Sequence, residues 1–70
     1  MADKNYVFYC IFNNTNNKRY IGRTINFKRR TNQHKSCLRR GIHANDFLQR
    51  DWDLFGEESF SFIIIDKMIS

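Results

Sequence analysis

Proline is absent, glycine occurs three times and cysteine twice in 70 residues. No repeat, linker or low-complexity segment interrupts the chain, so it is read as one domain, residues 1–70. Cys10 and Cys37 show neither CxxC nor Cys/His finger spacing. That excludes a disulfide framework and a zinc finger, and both thiols are expected to be reduced and packed. No apolar run approaches the roughly 18 residues of a membrane span, and nothing in the polar amino terminus resembles an export signal. A cytoplasmic protein with no membrane partner is the expectation. The most informative absence is acid: no Asp or Glu lies between Lys4 and Asn45.

What fills that stretch is positive charge. Lys18, Arg19, Arg23, Lys28, Arg29, Arg30, Lys35, Arg39 and Arg40 fall in it, while six of the seven acids lie from Asp46 onward. The net charge of +5 is therefore less telling than its segregation. A basic face of this kind attracts phosphates and loses affinity steeply with salt. A phosphate-rich partner is the expectation.

Seven Phe, three Tyr and one Trp supply the large side chains that a small core requires, because a chain of this size buries only about 60% of its unfolded surface. Tyr6–Phe12 is an aromatic and β-branched run, and Arg19–Gly22 is a second. The asparagine cluster from Asn13 to Asn17 between them predicts a hairpin. Apolar groups on both sides of the first run predict a central strand. A helix is predicted over Phe27–Arg40, capped by Asn26 and stopped by Gly41, and another over Asp46–Phe55, capped by Asn45 and stopped by Gly56. In the second helix Leu48, Trp52 and Phe55 form the inward stripe. A last strand, Phe60–Ile65, is expected to pair beside the first, with fraying beyond Asp66. The fold class is α+β: a small three-stranded antiparallel sheet with two helices, in the order β-β-α-α-β.

Tyr9 and Tyr20 fall on the two hairpin strands and are candidates for handling a proton and a phosphate oxygen. Arg30 and His34, four residues apart, project from one helical face. A guanidinium can hold a phosphate bidentately, and an imidazole or phenol can move the protons of phosphodiester cleavage.

The segment Tyr20-Ile21-Gly22-Arg23-Thr24, followed by Phe27, Arg30 and His34, then Asn45, Leu48-Gln49, Trp52 and Phe55-Gly56-Glu57-Glu58-Ser59-Phe60, resembles the GIY-YIG nuclease family. The resemblance spans about Tyr6 to Ile65 and implies metal-dependent cleavage of DNA. It implies that Tyr20 is the tyrosine of the second motif, at or beside the general base, and that Tyr9 is the tyrosine of the first. Arg30 matches the arginine that contacts the scissile phosphate, and His34 the nearby proton-handling position. Gly22, His43 and Asn45 are further candidates: a glycine admitting close approach, a histidine found functional in some members, and a motif residue.

Two departures stand out. The first motif reads Val7-Phe8-Tyr9, and the chain stops at Ser70 before the helix that carries the family's metal-binding glutamate. No residue is assigned as a metal ligand, Asp66 included. Mg²⁺ is implied as cofactor when the domain cuts, and none otherwise. Three functions follow as expectations. The chain binds DNA phosphates with impaired cleavage. Alternatively it is an active endonuclease completed by oligomerisation, for example as a homodimer. As a third reading it is a nuclease relative that binds protein as an inhibitor or decoy, through Trp52 and the segment from Asp46 to Glu58.

Overall fold

A computed structural model describes residues 5–69. Ser70 and residues 1–4, the latter including the polar amino terminus read above, lie outside the described residues. Strand β1 (Asn5–Asn13) runs antiparallel to β2 (Arg19–Thr24) on one side and to β3 (Phe60–Ile69) on the other, so the sheet order is β2-β1-β3. Helices α1 (Phe27–Arg39) and α2 (Asp46–Phe55) lie between β2 and β3 in sequence, and a single 3₁₀ turn, Glu57–Ser59, leads into β3. The predicted order β-β-α-α-β and the central first strand hold.

The asparagines close the hairpin by chemistry specific to them. Asn17 adopts a positive φ of 65°, which Asn tolerates better than other non-glycine residues. The Asn13 N–H donates to Lys18 O at 2.9 Å, while Asn13 Oδ1 accepts from Thr15 N at the same distance. Asn13 itself is fully buried.

Both predicted caps form. Asn26 Oδ1 accepts from Arg29 N, and Asn45 Oδ1 accepts from Phe47 N and Leu48 N. Each cap satisfies donors that the first helical turn leaves without intrahelical partners. At the far ends Gly41 (φ 72°) and Gly56 (φ 84°) take up the left-handed backbone that terminates a helix at little steric cost.

β3 is longer than expected. It continues past Asp66 to Ile69, because β1 extends back to Asn5 and supplies a partner along the whole length. A register shift between Phe8 and Tyr9 interrupts the pairing, with Phe8 opposite Asp66 and Tyr9 opposite Ile64. The end of the strand, read above as fraying, is paired through Ile69.

Alternation sorts the sheet residues to two faces. Tyr9 and Ile11 on β1 join Leu38 of α1 and Leu48 and Trp52 of α2 in the buried core, with Tyr20, Phe27, Phe60 and Phe62 packed against it. Trp52 meets Phe60 with ring centroids 5.2 Å apart. The other face carries Ile21, Ile63 and Ile65, each about half exposed or more. Cys10 is buried and Cys37 half-buried, and neither is in a disulfide.

Because Trp52 bridges α2 to β3, Trp52→Ala is expected to destabilise the domain by about 3–5 kcal/mol, the range for truncating a buried Trp or Phe. The midpoint of urea unfolding measures it, and a shift under about 1 kcal/mol contradicts the assigned core.

Candidate active site

Tyr9 is placed by the sheet and finished by a glycine. Its Cα partner on β2 is Gly22, and a Cβ built on Gly22 would overlap the Tyr9 ring and hydroxyl. The ring therefore lies across bare β2 backbone. Phe27, the first residue of α1, meets it edge-on at 6.2 Å. Tyr9 is only 4% exposed, yet its hydroxyl has a polar partner.

That partner is His34, whose Nε2 lies 2.7 Å from the Tyr9 oxygen. His34 Nδ1 is 2.7 Å from His43 Nε2, and the two imidazoles stack at 5.0 Å and 18°. The Asn45 N–H donates to His43 Nδ1 at 3.0 Å. An unbroken line of polar contacts thus runs from β1 through α1 to the start of α2.

Arg30, one turn before His34, lines the same cleft with Gln33, His34, Cys37, His43 and Ala44. A second cleft shares Arg30 and adds Arg23 and Arg29. Arg30 therefore borders His34 in one cleft and joins Arg23 and Arg29 in the next. Burial, then His43, then Arg30 push His34 down to about 4, and burial followed by Arg30 lowers His43. Both rings are neutral at pH 7.

Tyr20 sits on the same sheet face but has different company. Its hydroxyl donates to Asp51 Oδ2 at 2.8 Å, and burial together with Asp51 pushes the phenol up to about 12. Asp51 is buried and receives Asn16 Nδ2 at 3.5 Å, with Lys18 Nζ at 3.9 Å. The structure joins Tyr9, His34, His43, Asn45 and Arg30 in one neighbourhood and places Tyr20 in another contact group.

The remaining cations divide. Lys28 and Arg29 are both exposed on α1. Arg19 and Arg23 stack over Phe12 and Tyr6 at 5.3 and 5.0 Å, and Lys35 over Phe62 at 5.2 Å. Arg39 is engaged by Glu57 through a double contact of 2.8 and 2.5 Å, and Arg40 caps α1.

Two contributors escaped the sequence reading, Asp51 and Gln49. Asp51 carried a signal: an acid one position before Trp52 and three after Leu48 falls on an inward helical stripe. Gln49 carried none beyond membership of the motif. Its side chain accepts from His43 N and donates to Leu38 O and Asp53 Oδ1.

A magnesium ion prefers carboxylates with substrate oxygens and water. No carboxylate lines the Arg30–His34–His43 cleft, and no group of three or more His, Cys, Asp or Glu side chains suited to a metal occurs among the described residues. The residues present do not fit the ion.

Compared with known families, residues 5–69 match the GIY-YIG catalytic domain. No curated protein and no solved structure matches the chain. No helix among the described residues is long and apolar enough to cross a membrane.

Two outcomes follow from this geometry. Gly22→Ala forces the Tyr9 ring off its seat and is expected to cost about 1–3 kcal/mol, as overpacking does; unchanged thermal stability contradicts the close approach. The second concerns pH. The unfolded chain binds a proton at His34 near the ordinary 6.5, whereas the folded chain resists it down to about 4. Stability is therefore fully present above about 6.5 and falls as pH drops toward about 4. Melting temperatures across that window are expected to decline in the wild type and to decline less steeply in His34→Gln, where the lowered His43 still contributes.

Proposed function

The chain belongs to the GIY-YIG family, whose domains are nuclease-like, and from that premise we propose that it grips the DNA backbone at Arg23, Arg29 and Arg30 and presents Tyr9 to a phosphodiester. The observation that supports this most is the placement of Arg30 beside His34, the partner of Tyr9, in a cleft without carboxylates. A phosphodiester is an anion that gains charge in the transition state for attack by water. Fixed guanidiniums meet that charge, and a positioned phenol with an imidazole behind it can handle the proton of the attacking or leaving oxygen.

In this reading Tyr9 and Arg30 touch the substrate, and His34 acts on Tyr9. Tyr20 holds Asp51 and through it the hairpin turn, since its hydroxyl is already engaged and its phenol resists ionisation. Lys18, Arg19, Lys28, Lys35, Arg39 and Arg40 add long-range attraction, with Arg39 contributing least because Glu57 neutralises it. Binding is to phosphates with little base reading. Cleavage by the 70-residue chain is slow, because the cleft supplies no carboxylate for a divalent ion.

Completion by a second copy is a further reading, favoured by the exposed apolar sheet face at Ile21, Ile63 and Ile65. Sedimentation equilibrium distinguishes a dimer from the monomer. A protein-binding role through Trp52 finds less support, since that side chain is buried against Phe60.

Arg30→Ala tests the main reading. Exposed Arg30 makes one side-chain hydrogen bond, to Gln33 at 3.4 Å, so stability is expected to change by less than about 0.5 kcal/mol. Affinity for duplex DNA should drop, and the slope of log affinity against log salt should become shallower by about 1. An unchanged slope with unchanged affinity removes Arg30 from the phosphate site.

A further inference from the structure

The connection between α1 and α2 is pinned by a single side chain, Gln49. The His43 backbone N–H donates to Gln49 Oε1 at 3.0 Å, and Gln49 Nε2 donates to Leu38 O at 3.0 Å and to Asp53 Oδ1 at 2.9 Å. One glutamine side chain therefore ties the connection to the end of α1 and to the second turn of α2. The tie fixes the His43 ring against the Asn45 N–H, which the cap of α2 keeps in place.

A peptide N–H can donate and cannot accept. His43 Nδ1, 3.0 Å from it, must offer a lone pair. A neutral imidazole then carries its single hydrogen on Nε2, which lies 2.7 Å from His34 Nδ1. His34 Nδ1 must accept in turn, leaving the His34 hydrogen on Nε2, 2.7 Å from the Tyr9 oxygen. We infer that the Asn45 peptide N–H sets the direction of the whole line, and that His43 and Gln49 are positioning residues that oblige His34 to present an N–H to Tyr9.

Protonation of either ring breaks the line. A charged His43 would set its Nδ1–H against the Asn45 N–H, and a charged His34 would set its Nδ1–H against the His43 Nε2–H. The groups facing the pair are the Tyr9 hydroxyl from β1 and the Arg30 guanidinium, Gln33 amide and Cys37 thiol from α1. None is an anion that would recruit a proton, which agrees with the lowered values at both histidines.

The consequence concerns Tyr9. With His34 donating, the Tyr9 hydroxyl hydrogen points away from the imidazole and is not spent on it. If that hydrogen is lost, the oxygen keeps a fixed N–H donor beside it. His34 is then a donor to Tyr9 and does not take its proton while the line is intact. The tautomer assignment stands without the nuclease reading, and only this consequence rests on it.

The test is the long-range proton–nitrogen spectrum of the ¹⁵N-labelled 70-residue chain at neutral pH, without DNA. Both histidines are expected to show hydrogen on Nε2 and an unprotonated Nδ1. His43→Phe keeps a ring against His34 but deletes the donor to its Nδ1, so His34 should lose the single-tautomer pattern and show a mixture. Gln49→Met, which releases the tie and leaves both rings intact, should shift His34 the same way. A wild-type His34 with its hydrogen on Nδ1 overturns the inference, as does a His34 pattern unmoved by His43→Phe in a folded variant. Absence of DNA cleavage with the tautomers as assigned defeats the nuclease reading alone.

Discussion

Tyr9 occupies the centre of the middle strand, where its ring must fill the core while its oxygen finds a polar partner in His34. The two demands are compatible only because β2 offers bare backbone opposite it at Gly22 and α1 brings His34 within 2.7 Å of the hydroxyl. A buried phenol without a partner would cost about 1–3 kcal/mol. The polar contact that satisfies Tyr9 is thus also a folding contact, and it ties β1 to α1 just as Trp52 ties α2 to β3. In a domain of this size, site and core share side chains.

Charge follows a complementary logic. The stretch without acids builds β1, β2 and α1, and several of its cations border the clefts or stack over aromatic rings, while acids of the later segment hold the scaffold. Asp51 secures Tyr20, Glu57 secures Arg39, and Asp53 secures Gln49. Arg30 lines the cleft of His34 and His43, and Arg23 and Arg29 line the adjoining one, with no carboxylate in either. Such a field attracts a phosphate, while burial first and Arg30 after it disfavour protonation of the two histidines.

Most of the fold was legible because its signals are local. Asn26 and Asn45 name the helix starts, Gly41 and Gly56 the stops, and the Asn13–Asn17 cluster the hairpin turn. The length of β3 was not legible, since its final residues are ordered by pairing with Asn5, Tyr6 and Val7, distant in sequence. The site was legible in part. Arg30 and His34 share a helical face by spacing alone, and Tyr9 and Tyr20 share a sheet face by alternation. That Tyr9 meets His34 while Tyr20 meets Asp51 depends on how the helices cross the sheet, which spacing does not encode. The roles of Gln49 and the Asn45 peptide N–H were invisible for a similar reason: one is a long-range side-chain tie and the other a backbone group.

The most direct test of the central claim is single-turnover nicking of supercoiled DNA with excess protein and Mg²⁺, comparing the wild type with Tyr9→Phe. Phenylalanine keeps the ring over Gly22 and removes only the oxygen. The account predicts slow nicking by the wild type that disappears in Tyr9→Phe, with salt-dependent DNA binding retained in both. Equal nicking by the two proteins, or none by either, would contradict it.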